Sequence, residues 1–471
     1  MHDAGAHDGL HRRLIDAIGG EHVRTSPEDL AVYAFDAYTG GGTPAAVALP
    51  GSTREVAAVV KIANDCAQPI VARGAGTGLC GGAVPVAGGV VIGTSRMNGV
   101  LEVDVRNRRA RVAPGLINLD LSRAVQKDGL FYAPDPASQK TSTIGGNIAT
   151  NAGGPHCLSY GTTVNHVLGL EIVDAEGEVS VTSVDDVGYD LTAVLAGSEG
   201  TLGIVTSAWV RLQRLPEAVG VWVAAFADIE SASEAVSAII AAGIVPTALE
   251  MMDRVIAAAV EAAFSAGYPT EAAAVLLIEQ AGYSDDVASC ENAIAAIAKE
   301  HGAVSWRSAR TQAERDALWA GRKGAAGSTG RIAPNYYTQD VCVPRSKLPA
   351  ALRTVENVSR EYGVTIGNVF HAGDGNLHPL MMYDRRDRRQ VAAVVEGGNA
   401  ILQAAIDLGG TISGEHGVGF EKRDAMTRVY STQDLATMAR VRDVFDPRRM
   451  LNPEKIFPAG TRCPETTPPP A

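Results

Sequence analysis

Between Phe370 and Met426 the chain sets His371 and His378 on either side of an Asp374-Gly375 turn, followed by a Glu415-His416 pair framed by Gly414 and Gly417. Imidazole suits zinc, iron or manganese, and two histidines with one carboxylate leave coordination positions open for substrate oxygens. His371, His378 and Glu415 are therefore the expected ligands of one divalent metal. His416 beside them is the expected base, because imidazole titrates near physiological pH. The alternative is a pair of turn histidines that only hydrogen-bond to backbone. Arg322 is permanently charged and can grip a carboxylate with two donors, which suits it to fixing an acid group; its alternative is a surface arginine on a helix.

These residues need particular elements to position them. The apolar runs Val364 to Phe370 and Leu380 to Tyr383 flank Asp374-Gly375, a dipeptide that tolerates the positive φ of a hairpin, so strand, turn, strand is expected, with His371 and His378 at facing strand ends. Adjacent residues of a strict strand point to opposite faces, so Glu415 and His416 can share a site only in a bent segment, which Gly414, Gly417 and Gly419 favour. Upstream, residues 8–19 and 27–34 read as helical. Ser52 and Glu55 form a capping box opening a helix to about Cys66, and Pro69 to Ala72 reads as a short strand. Five glycines then fall in the nine residues from Gly74 to Gly82. A Rossmann glycine turn must open a helix, but β-rich runs follow at Val90 to Gly93 and Leu101 to Val105, so a phosphate loop between strands is expected. Two further glycine-rich blocks, Thr143 to Gly154 and Gly197 to Ile204, lie in the same α+β half. Three such loops in one domain suit a long, flat ligand with several polar edges, although each alone could serve turns and close packing.

From about Leu215 the pattern changes to alanine-rich helices, Ser231 to Ala242, Asp253 to Phe264 and Asp286 to Lys299, alternating with strands such as Gly220 to Ala225 and Ala274 to Ile278. A second α+β domain thus begins between Gln213 and Val219. With 471 residues and 46% hydrophobic composition, two or three domains with full cores are expected. The net charge of -12 disfavours nucleic acid and anionic membrane surfaces as partners, so an anionic substrate needs local cations. Cys66, Cys80, Cys157, Cys290, Cys342 and Cys463 are scattered singly, which writes neither an iron-sulfur ligand set nor a disulfide framework. No apolar run approaches the ~20 residues that span a bilayer, and no secretory signal is read. A soluble, cytoplasmic protein is expected, peripheral to the inner membrane face only through a partner. The proline-bearing tail, 459–471, is expected to be disordered.

The first half resembles the FAD-binding domain of the vanillyl-alcohol oxidase and p-cresol methylhydroxylase superfamily in Arg73-Gly-Ala-Gly-Thr77, Pro134-Asp-Pro136, Gly145 to Gly154 and Gly197 to Thr201. The second half resembles the FAD-linked oxidase C-terminal domain of the D-2-hydroxy-acid branch through His371 to His378, Gly414 to Gly417, Phe445 to Pro447 and Leu451 to Pro453. Within that branch, Trp319 to Lys323 and Gly330 to Tyr337 are most similar to the FAD subunits of glycolate oxidases. The fold class implied is α+β, with a two-part FAD-binding domain at 1–215 and an α+β substrate- and metal-binding domain at 216–458. The implied FAD contacts begin with Arg73, Gly74, Ala75, Gly76, Thr77, Gly78, Pro134 and Asp135. They continue through Thr143, Gly145, Gly146, Asn147, Ala149, Thr150, Asn151, Gly153, Gly154, Tyr160 and Gly161, and end with Glu199, Gly200, Gly203, Ile204 and Asn452. No histidine lies between Arg73 and Pro85 to attach the flavin covalently, so noncovalent FAD is expected.

The chemistry implied is flavin-dependent oxidation of a small 2-hydroxy acid, glycolate or D-lactate, to the 2-oxo acid by hydride transfer to FAD N5. Its hydroxyl and carboxylate oxygens would chelate a metal on His371, His378 and Glu415, lowering the hydroxyl pKa. Arg322, with Tyr337 and Asn376, would bind the acid, and His416 would take the hydroxyl proton. Cys80 stands where the superfamily more often has serine, and Thr338 where hydroxyglutarate-type members tend to carry a lysine for a distal carboxylate. A small monocarboxylate is thereby favoured over D-2-hydroxyglutarate. One methyl in an apolar pocket is worth only about 1–3 kcal/mol, so the choice among small acids stays open. Electrons must leave to an external acceptor: oxygen, a quinone route or a partner subunit carrying iron-sulfur clusters. A homodimer is left open. Two rivals remain, a metal-dependent hydrolase whose glycine loops bind a nucleotide phosphate and a non-catalytic module that binds FAD without reacting.

Overall fold

In the computed structural model, residues 4–38, 40–85 and 88–458 are described. The tail expected to be disordered lies outside them. The described residues pack as two compact units, one drawn from 1–153, 162–215 and 415–471, the other from 154–161 and 216–414. The division expected from the sequence, 1–215 and 216–458, follows the chain continuously; packing differs from it in two places. Gly154–Gly161 joins the second unit, and the chain from Glu415 onward returns to the first.

The first unit holds a four-stranded sheet, ordered Val23–Arg24, Ala46–Ala48, Val90–Gly93, Ile70–Arg73, in which the last three are parallel. The helix Thr53–Asp65 connects two of them. Ser52 caps it by accepting from Glu55 N, while the Glu55 carboxylate reaches one residue further than a capping box requires and accepts from Gly51 N at 2.8 Å. An antiparallel five-stranded sheet follows, ordered Val100–Asp104, Arg109–Val112, Ile204–Arg211, Val167–Val173, Val179–Ser183. The second glycine-rich block is not a loop: Ile144–Thr150 is a short helix, capped by Thr143, whose Oγ1 accepts from Gly146 N.

In the second unit one antiparallel path runs Ala303–Ser308, Ala218–Phe226, Ala274–Gly282, Ala248–Asp253, Thr365–His371, Asn376–Leu377, Val341–Cys342. Pro379–Tyr383 pairs both Thr365–His371 and Asn335–Thr338. Helices Arg254–Phe264 and Gln312–Lys323 cover one face through Ile256, Val260 and Leu318, which pack with Met252, Leu277 and Val369. Every residue of Ala248–Asp253 is buried, so this strand reads as a continuous run rather than an alternation. No helix among the described residues is long and apolar enough to cross a membrane.

Asp253 ends that strand and caps Arg254–Phe264 by accepting from Ile256 N at 2.9 Å, while its other oxygen accepts from Asn368 N and Nδ2. Burial outweighs these donors and pushes its carboxyl up to about 6. The unfolded carboxyl has a pKa of about 3.9, so the folded state binds more protons between these values and the stabilising protonation is lost as pH rises through 6. Relative to Asp253→Asn, the wild type should lose about 3 kcal/mol of stability between pH 3.5 and pH 7. Urea unfolding of both proteins at each pH measures this, and parallel pH profiles would contradict it.

Candidate active site

The site builds from strand register. Glu250 pairs directly with His371, and His371 with Asn376. Residues directly opposite in antiparallel strands point to one face, so a buried carboxylate, an imidazole and an amide share that face, which His378 joins two residues beyond Asn376. The expected strand, turn, strand is present, and Gly375 takes the turn's positive φ of 81°. The rings of His371 and His378 lie edge to face, 5.1 Å between centroids, and both are buried.

Each histidine has a carboxylate behind it. Glu250 Oε1 and Oε2 stand 2.8 and 2.9 Å from His371 Nδ1, and Oε2 also forms an ion pair with Arg322 Nη2. Burial alone would raise the Glu250 carboxyl, but Arg322 and His371 together outweigh it and hold it below the usual carboxylate range. Asp340 Oδ1 lies 3.7 Å from His378 Nδ1, and its Oδ2 accepts from Ser413 Oγ at 2.8 Å and Gly414 N at 3.0 Å. Arg322 is no surface arginine: it is 6% exposed, and its Nε has no hydrogen-bond partner among the described residues. Beside it in the helix, Trp319 Nε1 donates to Glu279, which also meets His156 Nε2 at 3.0 Å. His156 comes from Gly154–Gly161, so that segment, with the expected cofactor contacts Gly154, Tyr160 and Gly161, is built into the second unit.

In the first unit the glycine blocks converge. A Cβ on Gly74 would stand 2.3 Å from Thr143 Oγ1, so the first block lies against the cap of the second. Glu199 of the third block is buried in the left-handed region at φ 51°, a conformation costing roughly 1–3 kcal/mol that surrounding structure must offset. Its N–H donates to Ala149 O and its carboxylate accepts from Val418 N at 2.8 Å. Asn452 Nδ2 donates to both Gly82 O and Glu199 O, joining the first and third blocks. Phe420 N and Glu421 N donate to Cys80 O. Arg73 donates to Phe35 O and lies over the Tyr33 ring. Lys455 donates to Val84 O, and burial pushes its ammonium down to about 8 against the pull of Asp36 and Glu199. Glu415 and His416 lie outside any strand, as a shared role requires, with His416 Nε2 4.0 Å from Glu415 Oε1.

Residues 215–456 match the family model of FAD linked oxidases, C-terminal domain, and residues 44–183 match that of the FAD binding domain. The chain belongs to the FAD-linked oxidases. It is 41% identical over 456 residues to glycolate oxidase subunit GlcD of Escherichia coli, covering 96% of this chain and 91% of that protein. It is 35% identical over 424 residues to a D-lactate dehydrogenase of Archaeoglobus fulgidus, covering 87% and 90%. Among solved structures, p-cresol methylhydroxylase with substrate bound matches with a TM-score of 0.81 at 16% identity over 96% of this chain and 97% of that one. A 4-ethylphenol oxidase of Gulosibacter chungangensis matches at 0.80 and 18%, over 97% and 98%. At those identities the two structures establish the fold, the vanillyl-alcohol oxidase and p-cresol methylhydroxylase type expected above. This FAD-linked oxidase is accordingly a flavoprotein oxidoreductase.

Its residues fit the cofactor. Beside the glycine-lined cradle, Asn147 Nδ2, Ser142 Oγ and Asn452 Oδ1 are buried without hydrogen-bond partners among the described residues, as suits polar edges of a bound ligand. The donor set of His371 and His378, each with a carboxylate behind it, likewise fits a divalent metal. Tyr337 pairs with Met381 and stands on the face opposite His371, where it packs at Gly398 and its hydroxyl accepts from Gln339 Nε2 at 2.9 Å. Its neighbour Tyr336, paired with Met382, has the His371 face. Asn376 shares the His371 face, and its buried Oδ1 has no partner among the described residues. Glu250, Asp340 and Glu279 were missed because single acidic residues in apolar strands and loops carry no motif.

Removing the Glu199 carboxylate should leave Val418 N–H without its acceptor and loosen the loops around the cofactor. Glu199→Ala should lower stability by about 1–3 kcal/mol and lower the FAD-to-protein ratio of the purified protein. Wild-type FAD content with unchanged melting would contradict this.

Proposed function

We propose that this FAD-linked oxidase oxidises a small 2-hydroxy acid, glycolate or D-lactate, to the 2-oxo acid, with noncovalently held FAD and a divalent metal on His371, His378 and Glu415. The observation that carries the reading is the buried His371–His378 pair whose supporting carboxylate, Glu250, also holds Arg322. Glycolate and D-lactate are the acids in the names of the relatives at 41% and 35% identity. When bound, FAD supplies the two-electron acceptor and the metal a Lewis acid.

The chain's own residues do the rest. Glu250 neutralises Arg322, so the pair orients the acid group more than it attracts it. Asn376, buried on the His371 face, binds the acid by donating Nδ2 to its carboxylate, which leaves the hydroxyl proton to the base. His416 Nε2 takes the hydroxyl proton as the C–H bond breaks. Thr338 pairs with Leu380 on the His371 face and donates its hydroxyl to Gln339 O, providing no cation for a distal carboxylate, which favours a monocarboxylate over D-2-hydroxyglutarate. The cysteines are scattered singly in the sequence, with no cluster-binding pattern, so electrons pass to an external acceptor. A partner subunit with iron-sulfur clusters suits this role, since the Escherichia coli relative is named as a subunit.

Anaerobic titration of the yellow protein with glycolate, D-lactate, L-lactate and D-2-hydroxyglutarate tests the reading. Glycolate or D-lactate should bleach the flavin, and stripping the metal with a chelator should abolish the bleaching. A yellow protein that none of these acids bleaches would contradict it. His416→Ala should retain FAD and lose substrate-driven bleaching; unchanged bleaching would remove His416 as the base. His371→Ala should purify without metal, and full metal content would strike it from the ligand set.

A further inference from the structure

We propose that Glu250 is a positioning residue that presets both His371 and Arg322, joining metal affinity and acid recognition through one buried carboxylate. The inference rests on the reading above, in which His371 holds a divalent cation. Glu250 sits within the buried strand Ala248–Asp253 at 1% exposure, a costly place for an ionised group unless partners surround it. Both oxygens are within hydrogen-bond distance of His371 Nδ1, at 2.8 and 2.9 Å, and Oε2 is shared with Arg322 Nη2.

A carboxylate only accepts, so Nδ1 of His371 carries the proton and the ring's lone pair lies on Nε2, the atom that would face a cation. The ring is then fixed in rotation and tautomer before any metal arrives. Arg322 cannot turn without giving up the same oxygen that helps to orient His371. The three residues come from distant parts of the chain, and the direct pairing of Glu250 with His371 across two strands brings the first two together. Glu279 on the neighbouring strand serves other partners, His156 and Trp319, so it does not substitute for Glu250.

The test uses the full-length, FAD-loaded protein with Mn2+ alone as probe, free Mn2+ being read by EPR. Glu250→Gln should weaken Mn2+ binding tenfold to a hundredfold, about the usual effect of losing a carboxylate behind a ligating histidine. Arg322→Met keeps the Glu250–His371 contact and should bind Mn2+ more tightly than a variant lacking Glu250. Glu250→Gln also strands the buried Arg322 charge and should lower the melting temperature. The double variant Glu250→Gln, Arg322→Met should recover melting while Mn2+ binding stays weak, a split that a purely structural role would not produce. If Glu250→Gln does not fold, the double variant against Arg322→Met makes the same comparison. Equal Mn2+ affinity with and without Glu250 overturns the positioning role and leaves the metal reading standing. No Mn2+ binding by the wild type overturns both.

Discussion

An ionised carboxylate fully buried in a strand is the constraint on which the second unit depends. Glu250 can remain charged there only because Arg322 and His371 face it, and those two residues are buried with it. The strand, the helix bearing Arg322 and the hairpin bearing His371 must therefore pack together, or a charge is left alone in apolar surroundings. The contact that satisfies the packing is also the contact that orients the imidazole. Stability and chemistry thus rest on the same two oxygens.

The first unit meets a different requirement, bringing backbone close to a long polar cofactor without losing order. Its glycine blocks allow close approach, and Glu199 and Asn452 then tie the blocks together. Glu199 holds Val418 two residues after His416, so the segment carrying the proposed base is anchored to the third glycine-rich block. A strained, buried, non-glycine residue at such a junction is where local backbone preference yields to function.

Much of this was legible in the chain. The hairpin around Asp374-Gly375, the capping residue Ser52 and the FAD-linked oxidase family all follow from local residue patterns, because turns, caps and motifs are short-range physics. Glu250 and Asp340 were not legible, since their roles exist only through pairing across strands and loops far apart in sequence. Which of Tyr336 and Tyr337 shares the His371 face was not legible either: strand side chains alternate, so a shift of one residue changes the face. The return of the chain at Glu415 to the first unit was equally hidden, because the helix Thr432–Phe445 and its neighbours look like any amphipathic continuation.

The central claim is that the buried histidine pair binds a divalent cation through ring nitrogens fixed by carboxylates. Electron–nuclear double resonance on the Mn2+-loaded protein, prepared with 15N-labelled histidine, tests it directly. The account predicts couplings to two histidine nitrogens, one of them lost in His371→Ala and the other in His378→Ala. Bound Mn2+ with no histidine nitrogen coupling would contradict it.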